Sequence, residues 1–319
     1  MVKVAHKLPR FLRDHGLRQL LRRLAEQVQI QDPYPAWIRE NEPAQTEFAV
    51  LEARMGSWAL QPMVSVLMPT FNSQLTFLKE AIESVQAQLY PHWQLCIADD
   101  ASTRPEVRAF LQQLAASDPR IVLTLREHNG HISVCSNTAL ESAKGEWVAL
   151  LDHDDRLHPL ALYRVIEALQ QTPDANLIYS DEDKINERGE RFDPYFKSNY
   201  NRELMWAQNM ISHLGCYRRH IMVELGGFRL GFEGSQDYDL ALRVIERSSP
   251  SQIVHVPRVL YHWRAIRGST ALSTDQKPYA EIASRKALQE HLVRSGITAT
   301  VCAAPEIPAI SEYLPKFEV

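Results

Sequence analysis

The sequence is poor in cysteine, with only four among 319 residues. Cys96, Cys135, Cys216 and Cys302 are scattered, and their spacing matches neither a zinc site nor the disulfide framework of a small secreted protein. The cysteines therefore favour a reducing compartment, and we expect a cytoplasmic protein. We expect no signal peptide, and no apolar run of the given sequence is long enough to cross a bilayer.

An excess of positive charge is also lacking. The chain has 35 Lys and Arg against 39 Asp and Glu, which gives a net charge of −4. No basic patch is interleaved with aromatic residues, so the composition argues against nucleic acid as a partner. The hydrophobic share of 45% is ordinary for a globular protein. The length allows one large α/β domain with additions, or two small domains.

Short apolar strands alternate with amphipathic helices in the first half of the chain. The helix after the first strand repeats apolar residues with helical spacing from near Gln74, and Asn72 or Ser73 could cap it. This alternation predicts a mainly parallel sheet with right-handed crossovers. The four predicted strands are residues 64–68, 95–98, 121–125 and 147–151.

Three polar motifs follow strands of this predicted sheet. The most informative is Asp152-His153-Asp154-Asp155, directly after the fourth strand. Crowded carboxylates repel one another unless a cation joins them, and such oxygen ligands suit Mg²⁺ or Mn²⁺. The alternative is a solvated turn in which Asp155 caps the next helix. Residues 69–72 and 99–100 end two other strands, so all three motifs should converge on one crevice beyond the carboxyl ends of the strands.

Taken in order, the motifs resemble those of the family 2 glycosyltransferases. The resemblance covers roughly residues 62–272. It implies the GT-A fold, an α/β (Rossmann-like) architecture with a mixed, mainly parallel sheet flanked by helices. The most similar members build bacterial O-antigen, rhamnan or capsule chains. The motifs that carry the resemblance are residues 64–72, 98–102, 137–140, 151–155, 179–183, 226–228, 236–240 and 261–264.

The resemblance implies a nucleotide site and a metal site. Asp100 would accept a hydrogen bond from a pyrimidine, which favours a UDP- or dTDP-sugar donor, and Asp152 would lie near the ribose. Asp154 would be the main ligand of Mn²⁺ or Mg²⁺, with Asp155 as a second ligand or a structural cap. His262 would bind the same metal or the diphosphate, or else be an ordinary packed histidine. The remaining nucleotide contacts would be Pro69, Thr70, Phe71, Asn72 and His153.

The resemblance places the catalytic base at Asp237, in a motif that enters a helix. A base opposite the leaving group implies a single displacement with inversion. Many family members carry an acidic residue before the base, whereas this chain has Gln236, a candidate sugar contact. Asp239 is the rival base, but two helical positions differ by roughly 200° of rotation, so only one carboxylate can face the cleft. We read Asp239 as a cap or a partner of the helix dipole.

Further sugar or phosphate contacts are expected from residues in the second half of the domain. Asp181, after the predicted strand 177–180, would touch the donor sugar, unless it lies in a solvated acidic loop. His213 would lie in the acceptor pocket. Arg264 or Arg267 would pair with phosphate, unless it is an ordinary surface arginine. For the aromatic residues Tyr200 and Trp206, core packing is preferred over stacking on an acceptor sugar.

The remaining segments complete the predicted organisation. Residues 1–30 form a basic amphipathic helical extension that could lie on an anionic membrane, as would suit a lipid-linked saccharide acceptor, or dock on the protein itself. Residues 31–61 are expected to be an extended linker. Residues 62–155 and 156–275 would be the nucleotide-binding and acceptor halves of one domain, and 276–319 a C-terminal helix and tail. A metal-dependent sugar-nucleotide hydrolase and a non-catalytic nucleotide-sugar-binding module are the alternative functions.

Overall fold

The computed structural model describes residues 32–266, 278–303 and 311–315. The basic segment 1–30 and Arg267, with the membrane and phosphate contacts expected of them, lie outside the described residues. The chain divides into two compact units, Met1–Thr46 and Glu47–Val319. The described part of the first unit contains helix α1 (Tyr34–Asn41), in which Tyr34 stacks on Trp37.

The expected extended linker contains two helices instead. The first of these helices is α1, and the second is α2 (Phe48–Met55), with which the second unit begins. Pro35 is in the first turn of α1, where a missing N–H costs no hydrogen bond, so the prolines do not prevent helix formation there. Residues 48–55 are mostly good helix formers such as Ala, Leu, Glu, Arg and Met.

The second unit contains eight further α-helices and eleven strands within the described residues. The helices are α3 (Leu75–Gln86), α4 (Pro105–Ser117), α5 (His131–Glu141), α6 (Ala161–Gln171), α7 (Arg202–Ala207), α8 (Arg219–Glu224), α9 (Gln236–Ile245) and α10 (Pro278–Arg294). The strands are β1 (Val64–Thr70), β2 (Trp93–Asp99), β3 (Ile121–Leu125), β4 (Trp147–Leu150), β5 (Arg156–Leu157), β6 (Leu177–Ile185), β7 (Arg191–Tyr195), β8 (Gly215–Arg218), β9 (Ile253–Arg264), β10 (Ala299–Ala303) and β11 (Ser311–Pro315).

One mixed sheet forms the centre of this unit. Its strand order is β3-β2-β1-β4-β8-β6-β9-β5, and β7 pairs with β6. Strands β3, β2, β1 and β4 are parallel neighbours, as are β6 and β9, whereas β8 runs antiparallel to both β4 and β6. The expected α/β fold with a mixed sheet flanked by helices is confirmed. Strands β10 and β11 form a separate antiparallel pair.

Helices cover the sheet on both faces. Val64, Val66 and Met68 of β1 belong to one buried cluster, and Leu67 belongs to the other. This division follows from the alternation of side chains along a strand. On α3 the predicted apolar face is buried at Phe77, Leu78, Ala81, Ile82 and Val85. Each such large side chain contributes about 1.5–3 kcal/mol through removal from water.

Two local expectations about element ends are wrong. The predicted strand 177–180 continues to Ile185, so the acidic residues 181–183 lie within buried β6 rather than in a solvated loop. Helix α3 begins after Gln74 without a side-chain cap, because Asn72 Oδ1 instead accepts a hydrogen bond from Thr103 N at 2.9 Å. The C-terminal segment contains helix α10, and strand β10 follows Gly296. Across the described ranges, no helix has the length and apolar composition of a membrane span.

Candidate active site

A cleft of about 940 Å³ opens where β1 and β4 end. Five predicted site residues line it, namely Pro69, Asp152, His213, Gln236 and Asp237. These residues come from four separate parts of the chain. Of the three polar motifs, residues 69–72 and 152–155 contribute one lining residue each, and Asp99 and Asp100 are not among the residues that line the cleft. Tyr279 and Arg285 of α10 also line the cleft.

The predicted nucleotide motifs lie side by side because β1 and β2 are parallel and in register. Thr70 pairs with Asp99, and the buried Thr70 hydroxyl lies 3.2 Å from the Ala98 carbonyl oxygen. The Asp100 carboxylate accepts hydrogen bonds from Arg126 Nε at 2.7 Å and from Gly130 N at 2.9 Å. These contacts hold Asp100 in one orientation beside the end of β1.

Phe71 and Asn72 continue the same edge beyond β1. The Phe71 side chain is 45% exposed, so its ring is available to a ligand. Asn72 has a φ of 46°, a left-handed conformation that asparagine adopts more readily than most residues. Its amide N–H is held by the Ser102 hydroxyl at 2.8 Å.

The acidic motif divides into residues with different environments. Asp155 is buried, and its two oxygens accept hydrogen bonds from the Tyr261 hydroxyl at 2.6 Å and from Arg264 N at 2.7 Å. Burial raises the pKa of the Asp155 carboxyl, and the charges of Asp154 and Asp152 act in the same direction. Asp155 thus ties the turn to β9 and does not cap the next helix. Asp152 lines the cleft.

His153 and Asp154 are half-buried in this turn. The His153 Nδ1 atom is buried, and no described residue forms a hydrogen bond with it. Because a buried polar atom without a partner is costly, this nitrogen is suited to a ligand or an ordered water.

The residues around the acidic turn fit a divalent cation. One oxygen each of Asp152 and Asp155 and one ring nitrogen of His213 lie within 4.8 Å of one another. The carboxylates suit Mg²⁺ or Mn²⁺. Since both oxygens of Asp155 already accept hydrogen bonds, its carboxylate is better placed to orient the turn than to bind the ion.

The two aspartates of α9 face different surroundings. Asp237 lines the cleft, and its Oδ2 accepts a hydrogen bond from Asn209 Nδ2 at 2.8 Å. Burial raises the pKa of the Asp237 carboxyl, and the charge of His213 opposes that effect. Asp239 is completely buried between Arg229 and Arg243, with 2.9 Å to Arg243 Nε. Asp239 is therefore the partner of a buried ion pair rather than a cap.

His213 stands between the acidic turn and the cleft. Its ring stacks on Tyr261 with 4.5 Å between centroids. Its backbone N–H donates to Glu182 Oε2 at 3.0 Å, and its ring Nδ1 lies 3.3 Å from the same oxygen. Burial alone would lower the pKa of His213, but the hydrogen bond and charge of Glu182, together with Asp155 and Asp152, raise it to about 9. His213 therefore adds a positive charge to the acidic side of the cleft.

His262, Arg264 and Asp181 do not reach the cleft, and the expectations for these residues are corrected. His262 Nδ1 lies 2.6 Å from Asp183 Oδ1 on the other face of β9. Side chains alternate along a strand, so Tyr261 and Trp263 face the cleft while His262 and Arg264 point away.

Arg264 is fully buried and serves the packing of the domain. Its guanidinium forms an ion pair with Glu80 and donates to the Asp154 carbonyl oxygen at 2.6 Å. Asp181 is also buried, with 2.8 Å to His255 Nε2 and a hydrogen bond from Lys197 N at 2.9 Å. Both side chains are thus engaged within the protein.

Several cleft residues were not predicted from the sequence. Tyr261 and Trp263 belong to the motif 261–264, and alternation along the strand favours them over His262 as cleft residues. Asn209 had no local signal, because its contact with Asp237 joins residues 28 positions apart. The preference for core packing of Trp206 is confirmed, since it is buried and donates to His291 Nε2 at 2.9 Å.

Comparisons with known proteins bear on the same region. A family model described as Glycosyl transferase family 2 matches residues 65–226. The uncharacterized protein y4gI of Sinorhizobium fredii is 52% identical over 234 residues, which are 73% of this chain and 26% of y4gI. The O-antigen biosynthesis protein RfbC of Myxococcus xanthus is 32% identical over 286 residues, 90% of this chain and 22% of RfbC. The chain thus spans about a quarter of the length of these relatives.

Solved structures show the same fold. TarS 1–349 of S. aureus in complex with UDP-GlcNAc has a TM-score of 0.56 at 18% identity, over 73% of this chain and 72% of TarS. The mannosyltransferase PcManGT from Pyrobaculum calidifontis, in complex with GDP-Man and Mn²⁺, has a TM-score of 0.54 at 18% identity. That match covers 78% of this chain and 70% of PcManGT.

Proposed function

The chain belongs to glycosyl transferase family 2, and from this premise we propose that it is an inverting, metal-dependent glycosyltransferase. The donor would be a UDP- or dTDP-sugar, and the acceptor a saccharide in bacterial surface polysaccharide synthesis. The observation that carries this proposal is the position of Asp237, a half-buried carboxylate at the start of α9 that shares one cleft with the acidic turn after β4.

In the proposed reaction, Asp237 removes the proton from an acceptor hydroxyl. The resulting oxygen attacks the anomeric carbon and forms a new C–O bond on the face opposite the nucleoside diphosphate. The bond to the diphosphate oxygen breaks, and its electron pair leaves with the diphosphate, so the anomeric configuration inverts. The pKa of the Asp237 carboxyl, raised chiefly by burial, makes it a stronger base than an exposed aspartate.

A divalent cation at the acidic turn would complete the site. Asp154 and Asp152 would hold it, and Asp155 would fix their turn through Tyr261 and Arg264. When bound, Mn²⁺ or Mg²⁺ stabilises the negative charge that develops on the departing diphosphate. The Mn²⁺ present with GDP-Man in PcManGT supports a divalent ion for this chain as well.

The donor would bind along the ends of β1 and β2. Asp100 is held rigidly by Arg126 and Gly130 N, so it can present an acceptor atom to a pyrimidine base at low entropic cost. UDP-GlcNAc in TarS supports a uridine donor. His153, Thr70, Phe71 and Asn72 would complete the nucleotide contacts.

His213 and Gln236 would contact the sugars, since both line the cleft beside Asp237. The exposed ring of Tyr279 faces the same space and offers a stacking surface for a saccharide. The O-antigen role in the name of RfbC supports a surface polysaccharide as the product. A lipid-linked acceptor, and contact of residues 1–30 with the inner face of the cell membrane, complete the proposal.

Asp237→Asn tests this function, because asparagine keeps the shape but cannot accept the proton. Turnover with the best of a panel of UDP- and dTDP-sugars, in the presence of Mn²⁺, should fall by about 10²–10⁴. Binding of UDP, measured by calorimetry, should stay within about twofold, which is less than 0.5 kcal/mol. Near-normal turnover in this variant would exclude Asp237 as the base.

Asp193→Asn is the matched control. Asp193 is an exposed strand residue that forms a surface ion pair with Lys184, so the same substitution there should leave turnover unchanged. If wild-type protein mainly releases free sugar without any acceptor, the activity is hydrolysis and not transfer.

A further inference from the structure

The loop between α7 and β8, residues 208–214, contributes one residue that touches the proposed base directly. Asn209 Nδ2 donates a hydrogen bond to Asp237 Oδ2 at 2.8 Å. The other end of the same amide, Oδ1, accepts a hydrogen bond from Ser212 N at 3.1 Å. Both ends of the side chain are therefore engaged, and the amide has one orientation relative to the carboxylate.

The α7–β8 loop is itself held in place by the buried Lys197. The ammonium group of Lys197 is buried beneath the loop and donates to the Ile211 carbonyl oxygen at 2.7 Å and to the His213 carbonyl oxygen. Lys197 also lies 3.1 Å from Glu182 Oε2, the atom that accepts the hydrogen bond from His213 N. These contacts hold the loop to β6, so Asn209 is presented to Asp237 from a rigid support.

We propose that Asn209 is a positioning residue for the catalytic base. By binding Oδ2, it would hold the carboxylate plane so that Oδ1 points toward the acceptor hydroxyl. The inference rests on the proposed role of Asp237. It adds a residue outside the motifs that carry the family resemblance, and it assigns a function to a loop that has no acidic residue of its own.

The same hydrogen bond should tune the basicity of Asp237. A donor stabilises the ionised form of a carboxyl group and therefore lowers its pKa, against the effect of burial. Around Asp237, the cationic ring of His213 comes from the α7–β8 loop, Asp152 from the turn after β4 and Tyr217 from β8. Other charged or titratable groups that line the cleft are His131, Glu233, Glu281 and Arg285. Asn209→Ala replaces none of these titratable or charged side chains.

Asn209→Ala removes the donor and leaves a smaller side chain. The Asp237 carboxyl should then titrate at least about half a pH unit higher than in the wild type. The measurement is a ¹³C NMR titration of protein labelled at the aspartate carboxyl carbons, without metal or donor. The signal of Asp237 is identified by its absence from the Asp237→Asn spectrum.

Activity provides the second measurement. In the pH profile of kcat with the best UDP-sugar, the acid limb of Asn209→Ala should move to higher pH by the same number of pH units as the titration of Asp237. In the plateau kcat should fall about tenfold, with little change in KM for the donor, because orientation of the base matters only in the transition state.

Asn201→Ala is the matched control. Asn201 is also an asparagine, and its Oδ1 accepts a hydrogen bond from the backbone N–H of Leu204 at the start of α7. Loss of this cap should lower the melting temperature but leave the Asp237 titration and the acid limb unchanged. An Asp237 titration that is identical in Asn209→Ala and the wild type would overturn the inference. Since the NMR titration needs no turnover, that result is distinguishable from failure of the proposed function, which would appear as an active Asp237→Asn variant.

Discussion

Asp237 and Asp239 stand two positions apart on α9, and the structure predicts opposite consequences of replacing each by asparagine. Asp239 is completely buried and forms ion pairs with Arg229 and Arg243. The Arg243 side chain is only 6% exposed, so Asp239→Asn would leave a buried guanidinium without its counter-charge. Asp237 has no ion pair of this kind among the described contacts, and burial disfavours its charge.

The magnitude for Asp239→Asn follows from these contacts. Removing one partner of a buried ion pair costs about 3–5 kcal/mol. The lower end applies here, because Arg229 is partly exposed and Arg243 also donates to the carbonyl oxygens of Leu225 and Gly227. A loss of about 3 kcal/mol lowers the melting temperature of a unit this size by about 6–12 °C.

For Asp237→Asn we expect a free energy of unfolding equal to or higher than that of the wild type. A carboxyl whose pKa is raised in the folded protein is destabilising when ionised, so its neutral replacement should not lower the free energy of unfolding at pH 7. Differential scanning calorimetry on both variants measures the stabilities. Turnover per folded molecule, below the transition temperature, measures the chemistry.

The expected pattern is a stable, inactive Asp237→Asn and an unstable, active Asp239→Asn. An equally large loss of stability in both variants would show that Asp237 is also a structural residue. Loss of turnover in folded Asp239→Asn, with Asp237→Asn active, would show that the roles are exchanged.

Two further predictions concern acidic residues near the cleft. Glu182 is buried, but the charge of Lys197 and the hydrogen bond with His213 outweigh that burial and lower its pKa from 4.5 to about 2. The ionised Glu182 carboxylate therefore stabilises the fold fully above pH 4.5, and this contribution is lost as the pH falls toward 2. The difference in melting temperature between the wild type and Lys197→Met should accordingly be largest at pH 7 and shrink in acid. Mn²⁺ at 100 times its Kd should stabilise the wild type by about 2.7 kcal/mol in a thermal-shift assay. That shift should be mostly lost in Asp154→Asn; an equal shift in both proteins would place the ion elsewhere.

The sequence predicted the features that depend on local patterns. Apolar periodicity gave the strands and helices of the first half, since each element buries one face of its own. The meeting of residues 69–72, 99–100 and 152–155 at one edge followed from parallel strands, whose carboxyl ends lie together. The opposite orientation of Asp237 and Asp239 followed from helix geometry alone.

The incorrect assignments depend on register and on distant partners. In Tyr261-His262-Trp263-Arg264, composition draws attention to the histidine and the arginine, but the pairing of β9 with β6 directs the two aromatic residues to the cleft. Asp181 was expected at the end of a strand that in fact continues for five more residues, from 181 to 185. The partners of these side chains, such as His255 for Asp181, are far away in sequence and leave no local trace.

The burial of Asp155 explains why an acidic turn can be a rigid site. A buried carboxylate is costly unless hydrogen bonds compensate it, and here Tyr261 and Arg264 N, both from β9, supply them. Tyr261 also stacks on His213 and accepts a hydrogen bond from Asp152 N at 3.2 Å. One tyrosine thus joins the turn that would hold the metal to the loop that would position the base. Because these contacts lie within the protein itself, they would orient the turn and the loop for a diphosphate and an acceptor hydroxyl in the proposed reaction.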